Sequence, residues 1–177
     1  MRNVYCFRAV LLAATAACLT ALLASLSSVA SAAMIHARFL TADTTKHRAT
    51  LTLVAGYTGA HSGLNFNGYA KGAMTVTIPV GYTVQVRFTN KSQSPHSAVI
   101  TPYADRSGAK HPLAFPHAST PAPATGTAPG GTAQFTFTAS KGGTYAIVCG
   151  FDAHAELGMW DVLKVVKQGS PGISFKK

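Results

Sequence analysis

Side chains that can bind a metal recur at equal steps near the C-terminal end of the chain. Cys149, His154 and Met159 are spaced five and five residues apart, and His96 lies upstream in Ser94-Pro95-His96-Ser97. Thiolate and thioether sulfur favour Cu(I), whereas imidazole serves both oxidation states of copper. Two imidazoles, one thiolate and a weak thioether therefore predict a trigonal copper site with a long axial methionine, suited to carrying one electron.

The first 33 residues have the features of an export signal. Arg2 and Arg8 give a basic start, residues 9–26 are apolar or small, and Ala30-Ser31-Ala32 fits a signal-peptidase site. We therefore expect residues 1–33 to be removed, and the protein to reach the periplasm or the outer face of the cytoplasmic membrane. The apolar run is close to the ~18 residues that span a bilayer, so a membrane anchor through residues 9–26 is the alternative.

Removal of the signal changes the cysteine count. Cys6 and Cys18 would be lost, which leaves Cys149 alone. A single cysteine cannot form an internal disulfide, so in an oxidising compartment it is either a free thiol or a metal ligand. Taken singly, a buried cysteine is usually a small hydrophobe and a methionine usually fills a core. The combined spacing of cysteine, histidine and methionine favours the ligand interpretation.

The exported part of the chain is basic. Of the 15 lysines and arginines, Arg2 and Arg8 lie in the signal, which leaves 13 against five acidic residues. The basic residues are scattered and form no stripe with aromatics, so nucleic acid is not a predicted partner. Acid unfolding works largely by protonating carboxylates that are paired in the native state. A chain with five carboxylates has little to lose in this way, which favours an acidic environment.

The strands that must position these side chains show a period of two. Apolar residues alternate with polar ones over residues 74–78, 82–88, 134–138 and 145–149, with a short strand at 162–166 and a possible one at 50–54. Such runs between Gly, Pro and Asn predict an all-β sandwich. We expect residues 34–60 to form an N-terminal lead-in, residues 61–167 the domain, and residues 168–177 a flexible tail that frays.

One stretch, from Pro102 to Gly131, breaks the pattern. It is rich in Pro, Gly, Ala, Ser and Thr, too long for a hairpin and too poor in large apolar residues for a strand. We interpret residues 102–131 as an insertion loop between two core strands. His111 and His117 lie in it, and we interpret them as exposed loop histidines, with a second metal site as the alternative.

The order His, then Cys-x4-His-x4-Met, resembles the cupredoxin family of blue-copper proteins, and within it the sulfocyanins first and the rusticyanins next. The likeness covers about residues 60–167 and implies a cupredoxin Greek-key sandwich with one type 1 copper. It also implies electron carriage in a respiratory chain of acid-loving microbes, often linked to iron or sulfur oxidation. The segments that carry it are Leu64-Asn-Phe-Asn-Gly68, Met74-Thr-Val-Thr-Ile-Pro79, Gly81-Tyr82, Phe88-Thr-Asn90, Ser94-Pro-His96, Phe137-Thr-Ala-Ser-Lys141, Gly143-Thr-Tyr-Ala-Ile-Val-Cys-Gly150 and Gly158-Met-Trp160.

Two positions depart from the family pattern. Phe151-Asp152-Ala153 stands where a Pro-Gly-like pair is expected before the histidine, which leaves the geometry of the ligand loop open. Ser97 stands where many blue-copper proteins carry Asn, and we expect its hydroxyl to tie the two ligand segments together by a hydrogen bond.

The residues around the second histidine predict how the site meets solvent. Phe151, Ala153, Ala155 and Leu157 flank His154, so we expect the loop to expose an apolar patch. His96 is expected to lie deeper.

The sequence predicts an electron carrier and not an enzyme. A copper oxidase or nitrite reductase needs further copper ligands, typically several histidine pairs, and the chain has no His-x-His pair. The expected partners are redox proteins such as a cytochrome or a terminal oxidase, with the protein a monomer. A periplasmic copper-binding or chaperone protein is the alternative.

Overall fold

Alternation of apolar and polar residues along the strands produces two sheets that bury one face each. The computed structural model describes residues 34–176, so the predicted export signal lies outside the described residues. Two short 3-10 turns, Ala60–Gly63 and Tyr103–Asp105, accompany the strands. The strands are β1 Met34–Ala37, β2 Leu40–Asp43, β3 Arg48–Ala55, β4 Met74–Pro79, β5 Thr83–Asn90, β6 Val99–Pro102, β7 Thr132–Thr138, β8 Gly143–Val148, β9 Trp160–Val166 and β10 Gly172–Phe175.

Each sheet has five strands. The first has the order β1-β2-β3-β5-β7, and the second has the order β10-β4-β9-β8-β6. The pairs β3–β5 and β4–β9 are parallel, and the other neighbours are antiparallel. The predicted all-β sandwich is therefore confirmed. Within residues 34–176, no helix is long and apolar enough to cross a membrane.

The apolar positions of the alternating runs form the core between the sheets. Met74, Val76 and Ile78 of β4 are fully buried, whereas Thr75 and Thr77 between them are partly exposed. The same alternation holds in β5, where the apolar side chains meet those of β4 in one cluster. Burying each such side chain contributes about 1.5–3 kcal/mol, so these rows dominate the stability of the sandwich.

Four short strands, β1, β2, β6 and β10, were not predicted from the sequence. The lead-in forms β1 and β2 as well as the expected strand at 50–54, which extends to Arg48–Ala55. The expected fraying of residues 168–177 does not hold for Gly172–Phe175, which pairs with β4. Phe175 stacks on Tyr69 with ring centroids 4.4 Å apart, and this aromatic contact helps to hold β10 in place.

The predicted insertion loop connects β6 to β7 and covers an edge of the second sheet. Ile100 donates its N–H to Ala118, and Thr120 donates to Ala98, at 2.8 and 2.9 Å. Phe115 enters the core and stacks on Phe137 with centroids 5.4 Å apart. Because β6 is an edge strand, these bonds satisfy backbone groups that would otherwise be open to another chain.

Candidate metal centre

The residues predicted to bind copper meet at one end of the sandwich. His96 lies between β5 and β6, Cys149 directly follows β8, and His154 and Met159 lie on the loop from β8 to β9. Strands β6 and β9 begin at the end where β8 terminates, and Asn90 at the end of β5 donates to Thr127, which pairs with His96. The two segments that carry the ligand candidates are therefore brought side by side by sheet topology.

Three ligand atoms of this group converge on one point. The Sγ of Cys149 lies 3.6 Å from Nδ1 of His96 and 3.5 Å from Nδ1 of His154, and the two nitrogens are 3.2 Å apart. The centre of that triangle is about 2.0 Å from each atom, against metal–nitrogen distances of about 2.0–2.1 Å and metal–sulfur distances of about 2.3 Å for zinc. The donor set and its spacing therefore fit a first-row metal with a preference for sulfur, such as copper.

Burial keeps the two imidazoles in the form that can bind a metal. His96 is 1% exposed, and desolvation together with the nearby His154 lowers its pKa to about 4. Desolvation also lowers the pKa of His154, against a weaker opposing effect of Asp152. A metal takes neutral imidazole, so both shifts favour binding.

The thiol of Cys149 is fully buried, and burial raises its pKa. Metal binding must therefore displace a proton from the sulfur. The N–H of Ser97 points at Sγ at 3.4 Å and favours the thiolate that remains. The hydroxyl of Ser97 accepts a hydrogen bond from Gly150 N–H at 2.8 Å, which confirms the predicted tie between the two ligand segments.

Residues that sequence reasoning missed hold the segment of His96 in place. His96 and Thr127 of the insertion loop exchange two backbone hydrogen bonds, of 3.1 and 2.7 Å. The buried side chain of Asn90 donates to the carbonyls of Ser94 and Thr127 and accepts from Ser92. An Asn at the end of a strand, followed by serines, is a turn signal that the sequence offered. Its long-range bond to Thr127 left no sequence signal.

Met159 is fully buried, and its backbone is fixed at both ends. Its N–H donates to His154 at 2.9 Å, and its carbonyl accepts from Cys149 N–H at 3.1 Å. The loop thus closes on itself and brings the residues predicted as thiolate and thioether ligands next to each other in the backbone network.

The loop between Cys149 and His154 turns sharply at Asp152, which has a φ of +46°. The ring of Phe151 packs edge-on against His154, with centroids 5.1 Å apart. Both rings are partly exposed, as is Ala153, and Leu157 is 63% exposed. Phe151, Ala153, His154 and Leu157 therefore form an exposed patch beside the ligand candidates. His96 lies deeper, as predicted.

The expected patch differs at one residue. Ala155 is 1% exposed and not part of the surface, because it packs with Val99, Ala146 and Val148 on the outer side of the second sheet. This small apolar cluster fixes the ligand loop against β6 and β8.

The histidines of the insertion loop belong to no group of three or more potential metal ligands in residues 34–176. His111 is partly buried, and its Nδ1 lies 3.0 Å from the carbonyl of Asp105, whereas His117 is exposed. Within residues 34–176, the one group of three or more potential metal-binding side chains is His96, Cys149 and His154. The prediction that both loop histidines are exposed is therefore wrong for His111, whose ring faces a backbone carbonyl.

A buried carboxyl lies two residues after Met159. Asp161 is fully buried on the inner face of β9, where Oδ1 accepts the N–H of Met74 at 2.9 Å. Its Oδ2 has no hydrogen-bond partner in the described part of the chain. Desolvation raises the pKa of Asp161 to about 8, so the folded protein keeps this carboxyl protonated at neutral pH.

Comparison with known proteins gives one family. Residues 36–171 match the family model described as the sulfocyanin (SoxE) domain. The chain is 31% identical over 121 residues to the sulfocyanin of Sulfolobus acidocaldarius, a match that covers 64% of this chain and 61% of that protein. The chain thus spans less than two thirds of the length of this curated relative.

Two solved blue-copper structures resemble the fold. Auracyanin A from Chloroflexus aurantiacus is 24% identical with a TM-score of 0.48, over 67% of this chain and 98% of that one. Rusticyanin from Thiobacillus ferrooxidans is 23% identical with a TM-score of 0.45, over 67% of this chain and 82% of that one.

Asn90→Ala should loosen the segment that carries His96. The substitution removes buried hydrogen bonds to Ser94 and Thr127, so we expect a loss of about 2 kcal/mol in the free energy of unfolding and weaker copper binding. Urea unfolding of the metal-free protein and copper titration measure the two effects. Gln93→Ala, an exposed position on the same loop, is the matched control. Equal copper affinity in the two variants would contradict the role of Asn90.

Asp161→Asn should change how stability depends on pH. The folded pKa of about 8 lies above the ordinary value of 3.8, so the stability linked to the protonated carboxyl is fully present below pH 3.8 and is lost as pH rises through 8. Within that window the wild type should lose stability relative to Asp161→Asn as pH rises, by on the order of 1 kcal/mol per pH unit. Unfolding both proteins in the same metal state at pH 4 and pH 8 measures this. A difference that stays constant with pH would contradict it.

Proposed function

This chain belongs to the sulfocyanin family of blue-copper cupredoxins, and we propose that it carries single electrons with one type 1 copper held by His96, Cys149, His154 and Met159. The observation that carries the proposal is the triangle of Sγ and two Nδ1 atoms 3.2–3.6 Å apart. The buried Met159, on the same loop, would add the thioether as the fourth ligand.

The role of the side chains in this proposal is to hold the ligand atoms in one fixed geometry. Bound copper supplies a Cu(I)/Cu(II) couple that takes up and releases one electron. His96 and Cys149 are fully buried, which would keep water away from a metal held between them. Ser97, through N–H and hydroxyl, fixes the sulfur segment, and Thr127 fixes the backbone of His96. Ligands held in one arrangement keep the reorganisation small when the charge changes.

Electrons enter and leave at His154 in this proposal. Its partly exposed ring belongs to the docking patch of Phe151, Ala153, His154 and Leu157, which is largely apolar and is flanked by the exposed carboxylates of Asp152 and Glu156. A small apolar surface favours brief contacts with a partner, because weak redox complexes bury little area. We propose redox proteins such as a cytochrome or a terminal oxidase as these partners.

We further propose that the protein works in an extracytoplasmic respiratory chain at acidic pH, linked to iron or sulfur oxidation. The export features of residues 1–33 support the location, and cleavage there leaves Cys149 as the single cysteine. Within residues 34–176 the structure has one ion pair, Lys46 to Asp43 at 3.4 Å. A protein with so few paired carboxylates loses little stability when they are protonated, which supports an acidic setting.

Two other functions fit the site less well. A copper chaperone must release its ion readily, whereas His96, Cys149 and Met159 are buried and fixed by hydrogen bonds. A copper oxidase needs further copper ligands, and the part of the chain that the structure describes brings together one group of histidine and cysteine side chains. Both observations support a single-copper carrier.

Cys149→Ala should abolish the intense visible band of the copper-loaded protein, because that band arises from charge transfer out of the thiolate. Met159→Leu should keep copper and colour but raise the reduction potential, since loss of the axial donor destabilises Cu(II) more than Cu(I). Absorption spectra and redox titrations measure these effects. A blue Cys149→Ala protein, or an unchanged potential in Met159→Leu, would refute the ligand assignment.

Leu157→Lys should slow electron self-exchange by roughly tenfold or more. Self-exchange brings two docking patches together, and like charges placed in one interface cost at least about 1.4 kcal/mol. Val80→Lys is the matched control, because Val80 is also exposed but lies in the turn from β4 to β5, at the end away from the ligand candidates. Line broadening in mixtures of oxidised and reduced protein measures the rate. Equal rates in the two variants would exclude the patch.

A further inference from the structure

A two-residue segment that carries no metal-binding side chain brackets Met159. Lys71 donates its N–H to the carbonyl of Gly158 at 3.0 Å, and Gly72 donates its N–H to the carbonyl of Trp160 at 3.0 Å. These bonds fall on the residues immediately before and after Met159. The backbone position of Met159 is therefore set from outside the ligand loop, by the turn that precedes β4.

Gly72 is in close contact with the ring of Trp160. A Cβ at position 72 would lie 2.8 Å from Cζ3 and 3.1 Å from Cη2 of that indole, and the first distance is shorter than real Cβ contacts. Gly72 also has a φ of +77°, which L side chains rarely adopt. A side chain at this position must move the indole, the turn or both.

The partly exposed indole of Trp160 packs against two further side chains besides Gly72. The guanidinium of Arg106 lies 5.2 Å from the ring centroid of Trp160, and the ring of Tyr103 meets the indole edge-on at 6.1 Å. Arg106 also lies 4.3 Å above the ring of Tyr103 and donates Nη1–H to the carbonyl of Tyr103. Trp160 is thus in contact with the turn at Gly72 and with the 3-10 turn at Tyr103–Asp105.

A second glycine, Gly158, lies in close contact with the side chain of Lys71. Gly158 has a φ of +105°, and a Cβ there would lie 2.6 Å from Cε of Lys71. The stem of Lys71 therefore covers the backbone on the N-terminal side of Met159, while the indole of Trp160 fixes the C-terminal side. A displacement of the turn passes to Met159 through both hydrogen bonds.

We propose that Gly72 is a positioning residue, which sets the reach of the Met159 thioether through its contact with Trp160. The inference rests on the proposed function, in which Met159 is the axial ligand. A weaker hold on Met159 lets the thioether recede, which destabilises Cu(II) more than Cu(I) and raises the potential. The lack of a side chain at residue 72 then tunes the redox potential and not only the stability of the fold.

The experiment compares the copper-loaded full chain of the wild type with Gly72→Ala, Trp160→Phe and the double variant. Gly72→Ala should raise the reduction potential toward that of Met159→Leu and alter the visible spectrum. Phe lacks the ring atoms that the new Cβ meets, so Trp160→Phe alone leaves a gap and should also raise the potential. The double variant should return the potential toward the wild-type value.

Gly81→Ala is the matched control for backbone strain. Gly81 has a φ of +90° with no atom near its would-be Cβ, and it lies in the turn from β4 to β5. This variant should lower Tm and leave the potential and spectrum of the wild type. A Gly72→Ala protein that behaves in the same way, with lower Tm and unchanged potential, overturns the inference.

The outcomes separate this inference from the proposed function. A wild type without a blue band, or a Met159→Leu protein with the wild-type potential, refutes both. A potential that shifts in Met159→Leu but in neither Gly72→Ala nor Trp160→Phe refutes the inference alone. If Gly72→Ala does not fold, Trp160→Phe decides, because an unchanged potential in that variant also overturns the inference.

Discussion

The protein must hold three lone-pair donors within 3.6 Å of one another, two of them fully buried. Without a cation these atoms can hydrogen-bond only to one another, through the thiol proton or an imidazole N–H, and the desolvation of the buried ones carries a cost. The surrounding hydrogen bonds oppose this cost. Ser97, Thr127 and Asn90 act on the segment of His96 and the sulfur, and backbone bonds close the loop from Cys149 to Met159. These hydrogen bonds together form a frame around the ligand atoms, and the rest of the structure supports it.

The insertion loop belongs to the frame. Its backbone runs beside residues 96–100, bonds to His96 through Thr127, and places Phe115 in the core. Gly126 lies in the same loop, where a Cβ would meet the backbone N of His96 at 3.1 Å and the ring of Phe151 at 3.2 Å. One loop therefore touches the segment of His96 and the ligand loop. Its composition, rich in proline and small residues, suits a segment that must follow an irregular path at close range.

The ligand candidates and the long strands could be predicted because their signals are local. The steps from Cys149 to His154 and Met159 lie on one loop, and β4 and β5 show a clear period of two. The strands that were missed, β1, β2, β6 and β10, have four residues each, which is too short for alternation to show. The hold of Asn90 on Thr127 depends on a partner 37 residues away. Ala155 and Leu157 have the same apolar character, and only packing against β6 and β8 distinguishes the buried residue from the exposed one.

The order of strands in the second sheet has a consequence for the time course of folding. Strand β4, at residues 74–79, pairs on one side with β9 at 160–166 and on the other with β10 at 172–175. Both neighbours lie more than 80 residues downstream of β4, so this sheet cannot close until that whole stretch has been synthesised. Pairings across such long sequence separations also form slowly. A sheet that stays open until β9 and β10 are present leaves the chain a suitable substrate for passage through a membrane, as the proposed export requires.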